Sequence, residues 1–190
     1  PPRSTLFPYT TLFRSDGLRA RGQPIDVPSD FKTFTYNKSL ECLAAPRQGA
    51  LAGGLIVVTE HSLDNAGNLR SFVLKTGQVT RFVVKRSDDF DVSDCALFSP
   101  DELLLLERRA SLARGIIIRI RRIPIADIKE GAVVDGRPIF EADLAYQIDN
   151  MEGIAVHRNS AGETIITLVS DDNFSIIQRN LLLQFSVVGE

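Results

Sequence analysis

A short pattern returns three times in this chain, at intervals of 53 and 58 residues counted between the acids Glu41, Asp94 and Glu152. The copies are Leu40-Glu41-Cys42-Leu43-Ala44, Ser93-Asp94-Cys95-Ala96-Leu97 and Met151-Glu152-Gly153-Ile154-Ala155, each an acid, a small residue and then apolar residues. Turn residues follow each copy, Pro46 to Gly49, Ser99-Pro100-Asp101 and Asn159 to Gly162, and then a second apolar run at 55–59, 103–106 and 165–170. Third runs lie at 69–74, 116–120 and 181–187, and fourth runs at 79–84 and 137–144. Short β-branched or leucine-rich runs bounded by Gly, Pro, Asn and Asp read as strands, and only 124–129 carries a trace of helical period. Four-stranded units recurring near every 50 residues are the mark of a β-propeller. The expectation is an all-β chain, a partial β-propeller of about three four-stranded blades plus a remnant at 16–32. A small β-sandwich is the other architecture with this strand count.

The repeat also sorts the acids. In a propeller blade the first strand lies nearest the axis and the second returns antiparallel beside it. The second runs end at Glu60, Glu107 and Asp171, so each hairpin is expected to bring two carboxylates together at one rim. Like charges facing each other across a sheet cost up to about 1 kcal/mol per pair. Three such pairs suit either a bound cation or backbone N–H groups of the next blade. Ca²⁺ takes six to eight oxygens in loose geometry. The expected ligands are Glu152, Asp171, Asp172 and Asn173, with Glu41 and Asp94 as further channel acids. The alternative is structural, with Lys38 or Arg108 neutralising the acids.

Other chemistry is sparse. The sequence contains no Gly-x-Ser-x-Gly elbow, no phosphate-cradling loop and no His-Glu-x-x-His helix. Of the two histidines, His157 reads as a surface residue and His61, beside Glu60, as a surface residue or a base or ligand at the rim. Arg108-Arg109 reads as a solvated pair, a salt-bridge partner or an anion contact. Arg119, Arg121 and Arg122 alternate with isoleucines, so they are expected on an exposed strand face. Cys42 and Cys95 are expected as two buried thiols, with pairing left open. Lys and Arg number 22 against 24 Asp and Glu, which is not the charge balance of a nucleic-acid binder. No apolar run approaches the roughly 18 residues of a membrane span.

Residues 1–15, PPRSTLFPYTTLFRS, resemble one translated reading frame of a common sequencing adapter. They are expected to be an artefact without order, and 16–190 the C-terminal part of a propeller domain whose first blades, closing strand and export signal lay upstream. On that expectation the polypeptide as written would have little activity and open sheet edges prone to aggregate.

Asp149-Asn150-Met151-Glu152-Gly153-Ile154-Ala155-Val156 and Leu168-Val169-Ser170-Asp171-Asp172-Asn173-Phe174 resemble the phytase-like family, described by an esterase-like activity of phytase. So do 94–109, with Phe98-Ser99-Pro100-Asp101 and Leu106-Glu107-Arg108-Arg109, and 37–44. The resemblance covers most of 36–188. It implies a bacterial β-propeller, periplasmic or secreted, acting on a small-molecule ester or phosphoester. The Asp-Ala-x-Asp-Pro-Ala motif of Ca²⁺-dependent propeller phytases is absent from the sequence. The leading expectation is a metal-assisted phosphoester or carboxylester hydrolase. The alternatives are a non-catalytic propeller binding a ligand or partner on its acidic rim, and a lactonase-like hydrolase.

Overall fold

The structure is a computed structural model, and it describes residues 25–34, 38–111 and 115–188. The chain divides into two units, Pro1–Thr33 and Phe34–Glu190. In the first, a 3-10 turn spans Ser29–Thr33, and Thr33 Oγ1 donates to the Asp30 carbonyl at 2.6 Å. The segment 1–15 lies outside the described residues.

The second unit is built from three sheets. The first holds β1 (Leu40–Ala44), β2 (Leu55–Leu63), β3 (Leu69–Lys75) and β4 (Gln78–Val84) in sequence order. The second holds β5 (Asp91–Ser99), β6 (Glu102–Ser111), β7 (Gly115–Pro124) and β9 (Arg137–Asp143), and the third β10 (Met151–Arg158), β11 (Thr164–Ser170) and β12 (Leu182–Ser186). Eleven of these strands coincide with the runs read from the sequence. The twelfth, β8 (Val133–Val134), pairs parallel with β4 and adds a fifth strand to the first sheet. The faint helical period at 124–129 becomes only a 3-10 turn, Ile125–Asp127.

Successive side chains on a strand point to opposite faces, so a strand covered on both sides must be apolar throughout. The run Leu103-Leu104-Leu105-Leu106 in β6 meets that demand. Leu103 and Leu105 join Ile56, Val58, Val73 and Phe82 of the first sheet in one core. Leu104 and Leu106 join Met151, Ile154, Ile166 and Leu168 of the third in another. The second sheet is therefore sandwiched, and each buried leucine contributes about 2 kcal/mol by removal from water.

The first strands lie side by side, with β5 between β1 and β10. Cys42 of β1 and Cys95 of β5 form a disulfide, which replaces the expected pair of free thiols. The two sulfurs face one another because each sits on the sheet face turned toward the shared core. On the other side, Asp94 Oδ2 accepts the Ile154 N–H of β10 at 2.8 Å. Gly153 serves the hairpin itself, since a Cβ there would stand 2.7 Å from Cγ2 of its cross-strand partner Val169.

The arginines of β7 correct the sequence reading. Arg119 and Arg121 are buried, not exposed, because the face they occupy is the one covered by the first sheet. Both reach the fully buried Glu107: Arg119 Nε to Oε2 at 2.8 Å, Arg121 Nε to Oε2 at 2.9 Å and Nη2 to Oε1 at 2.5 Å. Arg119 also lies over the Phe90 ring, 4.1 Å from its centroid. Arg122 is partly exposed, pairs with Glu102 and stacks on Phe98.

Candidate functional site

The hairpin formed by the first two strands of each sheet carries an irregularity at the same place. Pairing slips between Leu40 and Cys42, between Val92 and Asp94, and between Met151 and Gly153. The extra residues are thus Glu41, Ser93 and Glu152, and bulges of this kind re-aim side chains. The residues paired just before them are Thr59, Glu107 and Ser170, so Glu60, Arg108 and Asp171 occupy corresponding positions on the second strands. The expected pairing of Asp94 with Glu107 therefore fails by one residue. Glu107 pairs with Val92 and faces the first sheet, while Asp94 turns toward the third.

That one-residue slip puts an arginine where the other two sheets have an acid. Arg108 Nη1 donates to Asn150 Oδ1 and Glu152 Oε1 from the third sheet, and its Nη2 to Glu60 Oε1 of the first at 3.3 Å. Asn150 Nδ2 returns a bond to Glu152 Oε1 at 2.8 Å, so the amide and guanidinium hold the same carboxylate. All three sheets meet at this guanidinium.

Glu41 completes the cluster. Protein packed around it displaces water although its surface still reaches solvent, and Glu60 and Glu152 add repulsion that Arg108 only partly offsets. Its carboxyl is pushed up to about 7. Burial likewise raises Glu60, with Asp91 adding to the shift and Arg108 and Lys38 opposing it. Burial raises Asp94 too, against the N–H groups of Ile154 and Cys95 that it accepts. Glu60 and Glu152 thus bind the one arginine, Glu41 is coupled to it and Asp94 stands close to Glu41 and Glu152, a locale that favours protons or cations.

Of the six expected Ca²⁺ ligands, Glu41, Asp94 and Glu152 gather here. Asp171, Asp172 and Asn173 instead shape the loop between β11 and β12. Asp171 Oδ1 accepts the Asn173 N–H at 3.0 Å, and Asp172 accepts the Phe174 N–H at 2.9 Å and Asn180 Nδ2 at 2.8 Å. Asn173 Nδ2 donates to Gln178 Oε1 at 3.2 Å. Among the described residues, no group of three or more His, Cys, Asp or Glu side chains is disposed to hold a metal ion.

A second arrangement adjoins the first. His61, next to Glu60 on β2, places Nδ1 2.6 Å from Asp91 Oδ1 of β5. Arg86 Nε donates to the same oxygen at 3.0 Å. Asp91 went unnoticed in the sequence because it stands 30 residues from its histidine. His157 is exposed, as expected.

A family model described as phytase-like, esterase-like activity of phytase, matches residues 8–174. This chain belongs to the phytase-like family. The matched span of this phytase-like chain runs from β1 through β11 and begins inside the segment that resembles adapter sequence. No curated protein and no solved structure gave a match. For a phytase-like protein the family description points to ester substrates. The Cys42–Cys95 disulfide is consistent with a location outside the cytoplasm. Among the described residues, no helix is long and apolar enough to cross a membrane.

Proposed function

We propose that the three sheets are successive blades of a β-propeller in an exported, periplasmic or secreted protein. Its activity is hydrolysis of a small-molecule ester at the rim around Arg108. The side-by-side packing of β1, β5 and β10, the first strands of the three sheets, supports the propeller. The observation that carries the site is the convergence of all three sheets on one guanidinium, ringed by acids. Glu60 and Glu152 already occupy the Arg108 guanidinium, with Glu41 beside them, so the electrostatics favour a neutral carboxylester or lactone over a phosphate dianion. A Ca²⁺ ion bound by Glu152 and Asp172 is a separate question with its own measurement.

Assays of an intact family member against p-nitrophenyl butyrate, p-nitrophenyl phosphate and a simple lactone, with and without Ca²⁺, test this reading. Turnover of the neutral substrates ahead of the phosphate is expected, and no turnover of any substrate would overturn it. Calorimetric titration of Ca²⁺ into the wild type and the E152A/D172A variant settles the cation; equal heats would leave the hydrolysis without a metal.

A non-catalytic binding propeller is the second reading. One observation favours it: Asp94 and Glu152 are already engaged by a backbone N–H and by Arg108, as structural acids would be.

A further inference from the structure

We propose that His61, oriented by Asp91, is the proton acceptor that activates water at this rim. The inference rests on the hydrolase reading for its substrate and on separate geometry for its chemistry. Asp91 Oδ1 accepts from Arg86 Nε at 3.0 Å and lies 2.6 Å from His61 Nδ1. An ionised carboxylate only accepts hydrogen bonds, so Nδ1 must carry the proton. The lone pair of the neutral ring is then on Nε2, which has no hydrogen-bond partner among the described residues. The two side chains are 29% and 22% exposed, open enough for water to reach and sheltered enough to hold one geometry.

The placement joins this pair to the Arg108 cluster twice over. His61 follows Glu60, which binds Arg108, and Asp91 stands directly opposite Arg108 in the pairing of β5 with β6. An imidazole whose Nδ1–H is held by a carboxylate, beside a cationic group, is the arrangement general-base hydrolysis requires. A water proton passes to Nε2 as its oxygen bonds to the acyl carbon, and the carbonyl π pair moves onto the carbonyl oxygen. That pair returns as the bond to the alcohol oxygen breaks, and the alkoxide takes the proton from Nε2. Ester and water enter, acid and alcohol leave, and the ring is regenerated without an oxidant or reductant.

Two measurements on the full chain decide the matter. In ¹⁵N-edited imidazole spectra, with His61 assigned by its loss in His61→Gln, the Nδ1–H tautomer is expected at neutral pH. Asp91→Asn should shift the population toward Nε2–H. A His61 found as the Nε2–H tautomer in the wild type overturns the assignment. In turnover of p-nitrophenyl butyrate, His61→Gln should lower kcat by about 100-fold or more. Free imidazole should restore part of the rate to His61→Ala. Because glutamine can still donate to Asp91, an unchanged urea midpoint accompanies the expected loss, and a wild-type rate in His61→Gln sinks the proposal. A wild type that hydrolyses nothing yet shows the Nδ1–H tautomer overturns the hydrolase reading and upholds the proton acceptor.

Discussion

Glu41 is the residue whose chemistry departs furthest from its ordinary state. Its folded pKa lies near 7 against an ordinary 4.5, so the folded protein prefers it protonated. A carboxyl raised in this way supports the fold fully below pH 4.5, and that support is lost as the pH climbs through 7. Glutamine cannot titrate, so Glu41→Gln should match the wild type in relative stability below pH 4.5 and gain on it steadily up to about pH 7. Urea midpoints for both proteins across that range provide the check; parallel curves would show that neither burial nor the neighbouring acids raise Glu41. The sequence marked Glu41, Asp94 and Glu152 as belonging together, and the structure does gather them. It could not show that Arg108 stands among them, because Glu107 falls one position before the place that Glu60 and Asp171 hold beside their bulges, which turns it to the opposite face and leaves Arg108 in the matching position.

Along a single strand, β7 shows what period-two patterning conceals. Isoleucine alternating with arginine reads as a sheet with one wet face. Here both faces are covered, so the charged row is buried against Glu107 and the pattern carries the opposite meaning. Strand positions were legible because Gly, Pro, Asn and Asp bracket the apolar runs. The two-residue strand β8 offers too little pattern to be read, and pairing of the cysteines depends on which strands become neighbours. Removing Glu107 leaves two buried guanidinium groups without their main counter-charge. Glu107→Ala should therefore destabilise by about 3–5 kcal/mol. Replacing Glu107, Arg119 and Arg121 together by apolar residues of similar volume should recover most of that loss. Denaturant unfolding of the two variants makes the comparison, and a mild effect in Glu107→Ala would mean the ion cluster is not coupled to the fold.

Across the Phe34–Glu190 unit, the three sheets are held by two shared cores and by links between first strands: the disulfide on one side, Asp94 to Ile154 on the other. The disulfide joins residues 53 apart, and restricting a loop of that size in the unfolded chain is worth about 4 kcal/mol in the chain-entropy model. Cys42→Ser/Cys95→Ser should lose about 2–4 kcal/mol, measured against the oxidised wild type in the absence of reductant. An equal loss in both proteins when dithiothreitol is added would contradict the assignment, since only the wild type has a bond to break. The whole-molecule order was visible in the repeat, while the stitching between its copies was not.

The same bond turns β2, β3 and β4 into the interior of a closed covalent ring. A protease that cuts once anywhere between Cys42 and Cys95, for instance at the turn around Gly67, opens the backbone without releasing a piece. The nicked molecule would migrate as one band on a non-reducing gel and as two once the sulfurs are parted. Outside the reducing interior of a cell, this sheet can be wounded and still remain attached to its neighbour.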